Sequence, residues 1–467
     1  MVLLPTPEAL GDAGWYTAGI AVLMAIWWIT EAIPIAATAM IPLVAFPLLG
    51  SGTIRETATP YADPVIFLFM GGFLIALAMQ RWDLHRRIAL RIIHRVGTSP
   101  NALIGGFMLA AALLSMWVSN TATAVMLLPV GLSVIDLAER SSGEGAGLHF
   151  PVALLLALAY GCNIGGMATL VGTPPNALLA GFIQQEYGLT ISFVDWMAVG
   201  LPVVALGLPL AFLVLTRITF PLKIKRLPGA EDTVAQEILN LGPMSKEERL
   251  VGTVFIMTAL LWITRPLLQP FIPGLSDAGI AMFGGLVLFI IPASLKEGLF
   301  LMDWPTARNL PWGTLILFGG GLSLASAFTQ TGLSLWIGAI LGGLRFLPIL
   351  VILLIVITVV VFLTELTSNA ATTATLLPVI AAMAIGLGQD PLLLAIPAVL
   401  SASCAFMLPV ATPQNAIVYG SERITVPQMA RAGFVLNILF IGIITVVAYT
   451  LVVWVFGIEI SGASGMP

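Results

Sequence analysis

Two short polar motifs interrupt apolar stretches of the chain and resemble each other. SNTATAVMLLP runs from 119 to 129, and SNAATTATLLP runs from 368 to 378. Their hydroxyl and amide side chains can donate hydrogen bonds to a carboxylate and can also offer oxygen atoms to a cation. Neutral oxygens suit a small hard cation such as sodium. The residue types thus indicate a site for an anion, a cation or both, built from Ser119, Asn120, Thr121, Ser368 and Asn369.

A further hydroxyl precedes each motif at the same spacing. Ser115 lies four residues before Ser119, and Thr364 lies four residues before Ser368. Residues four apart share one face of a helix, so each hydroxyl extends the potential ion site. Two equivalent sites suit two carboxylates, or two cations with one dianion between them. The alternative for any single residue is an ordinary hydrogen bond within or between membrane helices.

The composition places both motifs in a membrane protein. Of the 467 residues, 59% are hydrophobic and only 9% are charged, whereas a soluble domain averages roughly 25% charged residues. Apolar stretches long enough to cross about 30 Å of hydrocarbon recur along the chain, which indicates an all-α polytopic protein rather than a barrel. No sizeable soluble domain is left over, and no nucleic-acid partner is expected.

Hydropathy and turn residues predict twelve apolar segments, of which 101–138 and 347–387 are too long for one crossing. Each of these two contains a Ser-Asn motif and is predicted to be a re-entrant helical hairpin. Prolines in GTPPNA at 172–177 and ATPQNA at 411–416 predict unwound breaks between half-helices. The segments are 15–31, 33–50, 64–80, 101–138, 151–187, 197–219, 250–268, 277–293, 311–329, 347–387, 391–419 and 431–458.

The hairpins and breaks of the first half recur in the second half. The Ser-Asn motifs are offset by 249 residues and the Thr-Pro-x-Asn-Ala motifs by 239, which indicates a duplicated unit. If the hairpins do not cross the membrane, the repeats are inverted, and every basic residue except Arg55, Arg265 and Arg345 falls on one side. The positive-inside rule makes that side the cytoplasm and puts both termini outside.

Catalytic motifs are missing from the sequence. His85, His94 and His149 all fall in predicted cytoplasmic stretches, so they provide no midplane zinc site or base. The chain has no HExxH, GxSxG or GxxxxGK[ST] motif, which argues against an enzyme, a cofactor and an ATP-driven pump. Two carboxylates remain notable: Glu365 could relay a proton, and Glu31 could orient a helix end.

Several of these motifs resemble those of the divalent anion/sodium symporter family, the dicarboxylate and citrate carriers. They are SNTATAVMLLP, TELTSNAATTATLLP, GTPPNA, ATPQNA and LPWGTLILFGGG, and the resemblance covers nearly the whole chain. It implies a homodimer that works by an elevator mechanism. Each protomer would combine a scaffold domain, 1–98 and 250–346, with a transport domain, 99–219 and 347–467, and 220–249 would be a cytoplasmic linker.

The resemblance also implies which residues bind the ligands. One sodium would bind at Ser115, Ser119, Asn120 and Gly172, and a second at Thr364, Thr367, Asn369 and Ala411. Substrate carboxylates would contact a set that comprises Ser119, Asn120, Thr121, Thr173, Ser368, Asn369, Ala370, Thr412 and Pro413.

The chain departs from the family pattern at two places. Ala370 stands where the second Ser-Asn-Thr motif would have its threonine, which leaves Thr372 or Thr373 as the replacement hydroxyl. The chain also begins at what resembles the family's second crossing, so the extra N-terminal helix common in the family is expected to be absent.

The predicted function is sodium-coupled import of C4-dicarboxylates such as succinate, malate or fumarate across a cell membrane, the inner membrane of a bacterium. Two alternatives stay open. One is sodium-independent dicarboxylate exchange, and the other is transport of sulfate, citrate or another divalent anion by the same fold. A passive channel is a rival of a different class, which conductance in planar bilayers would reveal.

Overall fold

The computed structural model describes residues 5–7, 9–142, 149–222 and 229–460. In these ranges nine helices are long and apolar enough to cross a membrane, and the only strands form one short hairpin. The predicted all-α polytopic class is confirmed. Of the basic residues assigned to the cytoplasm, Lys223, Lys225 and Arg226 lie outside the described ranges.

The helices of the first half include the first hairpin and the first broken helix. A π-helical stretch, Val214–Thr219, continues α11. The bounds are α1 (Asp12–Thr30), α2 (Ile35–Thr38), α3 (Ile41–Leu48), α4 (Ile54–Ala58), α5 (Pro64–Arg81), α6 (Leu84–Val96), α7 (Pro100–Ser115), α8 (Asn120–Ser142), α9 (His149–Gly166), α10 (Pro174–Tyr187), α11 (Phe193–Leu213) and α12 (Ala230–Asn240).

The second half repeats this order with a small insertion, in which β1 (Pro292–Ser294) pairs antiparallel with β2 (Leu299–Phe300). The sequence analysis predicted neither this β-hairpin nor α12 and α17. The helices are α13 (Lys246–Leu268), α14 (Asp277–Ile290), α15 (Trp304–Ala307), α16 (Trp312–Gln330), α17 (Leu333–Leu341), α18 (Ile349–Thr364), α19 (Asn369–Gly386), α20 (Pro391–Ala402), α21 (Pro413–Tyr419), α22 (Val426–Val447) and α23 (Val453–Phe456).

Both Ser-Asn motifs lie at a turn between two helices. Residues 116–119, the first tip, join α7 to α8, and residues 365–368, the second tip, join α18 to α19. The helical interruptions therefore fall where the sequence placed them.

Both Thr-Pro motifs lie where a broken helix resumes. The first break is 167–173, and the second break is 403–412. Pro174 and Pro413 begin α10 and α21, a position where the missing N–H of proline has no helical partner to lose. The second break is longer than ATPQNA suggested, because α20 already ends at Ala402.

The first halves of the two broken helices form the centre of the protein. In α9, 94% of the membrane-length window is buried, and every residue of α20 from Leu392 to Ala402 is buried. α9 packs against α7 and α8, and α20 packs against α18 and α19. The two tips are therefore held against the two breaks by the most buried helices of the chain.

Polar contacts on one side of the molecule join the two halves. Arg87 of α6 pairs with Glu248 of α13 at 2.8 Å, and both side chains are buried. The same guanidinium donates to the carbonyl oxygens of Leu241, at 3.2 Å, and Gly242, at 2.8 Å. The guanidinium of Arg87 also lies 3.4 Å from the carbonyl oxygen of Pro243. Together with the bond to Glu248, these hydrogen bonds hold α6 against the turn between α12 and α13.

Gly71 brings α5 into direct backbone contact with α14. A β-carbon on Gly71 would lie well inside 3.0 Å of the carbonyl group of Ala281. Because backbone atoms cannot swing away, Gly71→Ala is expected to lower the free energy of unfolding by about 1–3 kcal/mol. Gly72→Ala is the matched control, since its β-carbon would meet nothing nearer than 3.4 Å, in the side chain of Val171. Thermal unfolding in detergent measures both, and equal midpoints would contradict this reading of the packing.

Candidate functional site

A cavity of about 780 Å³ lies where the tips meet the breaks. Its lining includes Gly172 of the first break and Ala411 of the second. Helices from opposite halves close it, because α8 packs against α21 and α10 packs against α19. All the predicted substrate contacts line this one cavity: Ser119, Asn120, Thr121, Thr173, Ser368, Asn369, Ala370, Thr412 and Pro413.

Helix N-termini supply the positive potential of the cavity. Three helices of 23, 14 and 18 residues, namely α8, α10 and α19, begin at its wall. Each N-terminus exposes unpaired N–H groups and carries a partial positive charge. Within the described part of the chain, the lining contains no lysine, arginine or histidine, and its one charged side chain is Glu31. An anion in this cavity would thus be held by backbone dipoles and neutral side chains.

The residues that precede these helices keep polar hydrogens for a ligand. Ser119 Oγ accepts a hydrogen bond from Ala122 N at 3.2 Å. A hydroxyl that accepts in this way still has its own hydrogen to donate. Ser368 and Thr173 occupy the N-cap positions of α19 and α10 and make no capping hydrogen bond with their side chains. All three hydroxyls can therefore turn towards an anion.

Behind the second tip, three oxygen atoms lie close together with only one hydrogen to share among them. Thr364 Oγ1 lies 2.8 Å from Asn369 Oδ1 and 2.8 Å from the carbonyl oxygen of Ala402. A hydroxyl has one hydrogen, so only one of these two acceptors can receive it at a time. The other contact brings lone pairs together, which a small cation would relieve. We call this group of oxygens the second cation pocket.

Behind the first tip, two buried oxygens lack hydrogen bonds of normal geometry. They are Ser115 Oγ and Asn120 Oδ1. The amide of Asn120 lies beside the first break: a β-carbon built on Gly166 would be 3.1 Å from its nitrogen and oxygen and 3.2 Å from the carbonyl oxygen of Gly172. Leaving such a group unsatisfied costs about 1–3 kcal/mol. We call these two oxygens the first cation pocket, because a bound cation would satisfy them.

Other predicted residues lie outside the cavity. Thr367, a predicted sodium ligand, contacts the hydroxyl of Thr372 and is buried. Thr373 donates to the carbonyl oxygen of Asn369 at 2.9 Å. Since neither Thr372 nor Thr373 lines the cavity, neither replaces the hydroxyl that Ala370 lacks.

The asparagines of the Thr-Pro motifs hold the breaks in shape. Asn176 Nδ2 donates to the carbonyl oxygens of Gly166, at 3.1 Å, and Thr169, at 2.8 Å. These acceptors lie ten and seven residues before it. Gly166 O has no helical partner because α9 ends there, and Thr169 O otherwise accepts only a long hydrogen bond from Gly172 N, at 3.4 Å, so one amide group supports both carbonyls. Asn176 is therefore a structural residue of the first break.

Asn415 does the same in the second break. Its Nδ2 donates to the carbonyl oxygens of Ala405 and Leu408, both at 3.1 Å, which again lie ten and seven residues earlier. Asn163 of α9 adds a donor to Asn415 Oδ1 at 3.3 Å and another to Ala405 O at 3.1 Å. The two breaks thus repeat one hydrogen-bonding pattern, and a helix of the first half supports the break of the second.

Several polar residues of the site were not predicted from the sequence. Gln80, Asn309, Thr314 and Gln414 line the cavity, and the carbonyl of Ala402 belongs to the second cation pocket. The first three of these residues lie in none of the repeated motifs, and the residue type does not show where a backbone carbonyl will lie. Glu31, considered as a helix-end residue, does end α1 in a left-handed conformation, with φ 49°, which is uncommon for a residue other than glycine.

Comparison with known proteins agrees with this architecture. The family model of the sodium:sulfate symporter transmembrane region matches residues 1–458. The chain is 43% identical over 468 residues to the sodium-dependent dicarboxylate transporter SdcS of Staphylococcus saprophyticus, with 98% of this chain and 90% of that protein covered. It is also 43% identical over 463 residues to SdcS of Staphylococcus aureus strain USA300, with 97% and 89% covered.

Two solved structures share the fold. The YdaH transporter of Alcanivorax borkumensis has a TM-score of 0.62 at 18% identity and covers 96% of this chain and 99% of its own. MtrF of Neisseria gonorrhoeae, described among antimetabolite efflux pumps, has a TM-score of 0.60 at 12% identity and covers 98% of both chains. The resemblance drawn from the motifs is confirmed: the chain belongs to the sodium:sulfate symporter family and is a membrane transporter rather than an enzyme.

Proposed function

We propose that the protein imports C4-dicarboxylates such as succinate, malate or fumarate by symport with sodium. The observation that carries this proposal is the cavity itself, which joins three helix N-termini with two pockets of unsatisfied neutral oxygens and has no cationic side chain among its described lining residues. The names of its relatives, sodium-dependent dicarboxylate transporters at 43% identity, point to the same ligands.

Sodium would make the cavity competent to bind a dianion. Two carboxylates bring two negative charges, which helix dipoles of about half an elementary charge each offset only in part. Two sodium ions in the cation pockets would balance the remainder and would draw Asn120 and Asn369 into fixed positions at the tips. A difference in substrate affinity between the sodium-loaded and sodium-free states is all that coupling requires.

The proposed movement is that of an elevator in a homodimer of the bacterial inner membrane, with both termini outside. The tips, breaks and α11, α22 and α23 would move as one body against a scaffold of α1–α6 and α13–α17. The contacts at the boundary would have to yield, and they include a hydrogen bond from Phe193 N to Asp277 Oδ2 at 3.2 Å and the stacked rings of Phe193 and Trp262 at 4.6 Å.

Uptake of radiolabelled succinate into proteoliposomes tests the proposed function. An inward sodium gradient should drive accumulation, and replacement of sodium by potassium or choline should abolish it. Accumulation that does not depend on the sodium gradient would rule out sodium symport. Counterflow without sodium would then identify an exchanger, and competition by sulfate or citrate would identify another divalent anion as the substrate.

Ala370→Thr is expected to change substrate preference more than sodium dependence. Ala370 lines the cavity in the first turn of α19, so a hydroxyl there adds a donor beside the substrate. One hydrogen bond contributes about 0.5–1.5 kcal/mol, hence about a twofold to tenfold change in the KM ratio of succinate to malate. Ala371→Thr, which adds the hydroxyl outside the cavity, is the control. A shift in the sodium requirement with an unchanged KM ratio would contradict the assignment.

A further inference from the structure

Glu365, in the second tip, is a buried carboxylate that accepts hydrogen bonds from three consecutive backbone amides. Its Oε1 accepts from Phe406 N at 2.7 Å and from Met407 N at 2.9 Å, and its Oε2 accepts from Met407 N at 3.0 Å and Leu408 N at 3.2 Å. Asn437 Nδ2 of α22 adds a fourth donor, 2.8 Å from Oε1. The side chain therefore fixes the second break to the second tip.

All these partners are donors, so both carboxylate oxygens serve only as acceptors, as in the ionised form. Among the described residues, no lysine or arginine forms an ion pair with Glu365. Amide dipoles hold the charge in place without cancelling it. A fixed negative charge inside a membrane protein is costly and is offset when a cation binds beside it.

The carbonyl side of the same segment is also fixed. Asn415 binds the carbonyl oxygens of Ala405 and Leu408, and the hydroxyl of Tyr160 donates to Phe406 O at 2.8 Å. Residues 405–408 are thus held through both their N–H and their C=O groups. The charge of Glu365 consequently has a fixed position between the second tip and the second break.

The residues that flank these two segments supply the second cation pocket. Thr364, which precedes Glu365 directly, contributes Oγ1, and the pocket is completed by Asn369 Oδ1 and by the carbonyl of Ala402, the residue directly before the second break. The first tip has no such charge, because the residue 249 positions before Glu365 is Met116. Ser115 and Asn120 of the first pocket occupy the positions that correspond to Thr364 and Asn369, so the neighbouring carboxylate of Glu365 is a feature that distinguishes the second pocket from the first.

We propose that Glu365 is a positioning residue whose fixed charge makes the second cation pocket bind sodium more tightly than the first, so that this pocket fills first. The inference rests on the proposed sodium symport. It deepens that proposal by assigning an order to two ions that the duplicated motifs alone would make equivalent.

Glu365→Gln tests the charge with almost no change in shape. The sodium concentration for half-maximal succinate uptake is expected to rise about fivefold or more, the lower end of typical coupling between sites. The KM for succinate at saturating sodium should change less than about twofold, because the substrate contacts remain. Glu139→Gln, which removes an exposed carboxylate, is the control. An unchanged sodium requirement in Glu365→Gln would overturn the proposal.

Asn437→Leu distinguishes the effect of the charge of Glu365 from the effect of structural support for the second break. This variant removes one donor and leaves the carboxylate in place, so sodium should bind as tightly as in the wild type or more tightly. If Glu365 acted only as a structural strut, Asn437→Leu would weaken sodium binding in the same direction as Glu365→Gln, and that outcome would refute the role of the charge.

Sodium-dependent thermal stabilisation of the purified protein in detergent gives the same comparison without transport. If Glu365→Gln does not fold, this measurement on Asn437→Leu decides the question alone. A wild type that sodium does not stabilise would refute the proposed symport itself, whereas a stabilised wild type matched by Glu365→Gln would refute only the present inference.

Discussion

Asn120→Ala and Asn369→Ala are each expected to reduce sodium-driven succinate uptake by about 100-fold or more, a loss of about 2.7 kcal/mol. Both side chains line the cavity, and each also turns an oxygen towards a cation pocket. Asn120 Oδ1 is buried without a hydrogen bond, and Asn369 Oδ1 faces the hydroxyl of Thr364. Truncation would therefore remove a proposed substrate donor and a proposed cation ligand together.

The matched control is Asn240→Ala, because Asn240 is exposed at the end of α12. All three variants should elute as the wild type does in size-exclusion chromatography, since neither tip asparagine supports the core. Wild-type uptake by both tip variants would remove the site assignment. Loss of uptake in only one of the two variants would show that the two tips contribute unequally to transport.

Replacing the asparagines of the breaks is expected to destabilise the fold rather than to change ligand affinity. Asn176→Leu and Asn415→Leu each remove two hydrogen bonds to buried carbonyls, at about 0.5–1.5 kcal/mol per bond, hence about 1–3 kcal/mol in total. The carbonyl oxygens of Thr169, Ala405 and Leu408 each keep a second donor. Asn415→Leu should cost more, because it also deprives Asn163 of an acceptor, whereas Asn176 Oδ1 has no hydrogen bond to lose.

Thermal unfolding in detergent should thus rank the midpoints as wild type, Asn176→Leu and then Asn415→Leu. Asn101→Leu provides the control, since Asn101 is exposed in the first turn of α7. A reversed order, or midpoints equal to that of the control, would show that the two amides do not hold the breaks as the hydrogen bonds suggest.

The tips and breaks could be predicted from the sequence because their signals are local and occur twice. Ser119 and Pro174 mark a helix start by residue type alone, and their counterparts at 368 and 413 repeat the signal. The role of Asn415 could not be predicted, because it depends on which carbonyls the backbone brings near. The cavity confirms that the doubled motifs converge, but the cation pockets lie behind it and include a carbonyl of Ala402.

The structural role of Glu365 could not be predicted from the sequence either. An isolated carboxylate in an apolar stretch indicates function, but residue type does not distinguish a proton relay from an anchor. Only the course of residues 406–408, which lie 41 to 43 positions further along the chain, supplies the backbone amides that hold it. The absence of a hydroxyl at Ala370 is a comparable case, since Thr372 and Thr373 are not among the residues that line the cavity.

The described lining of the cavity contains no arginine or lysine, and this would speed the release of substrate in the proposed symport. An arginine guanidinium would bind a dianion tightly whichever side of the membrane the site faces, and it would slow the release of the dianion. In the proposed symport, sodium ions would supply this attraction and would leave where their own concentration is low, and the remaining helix dipoles would hold two carboxylates only weakly. Release of the substrate into a sodium-poor compartment would then require no separate trigger.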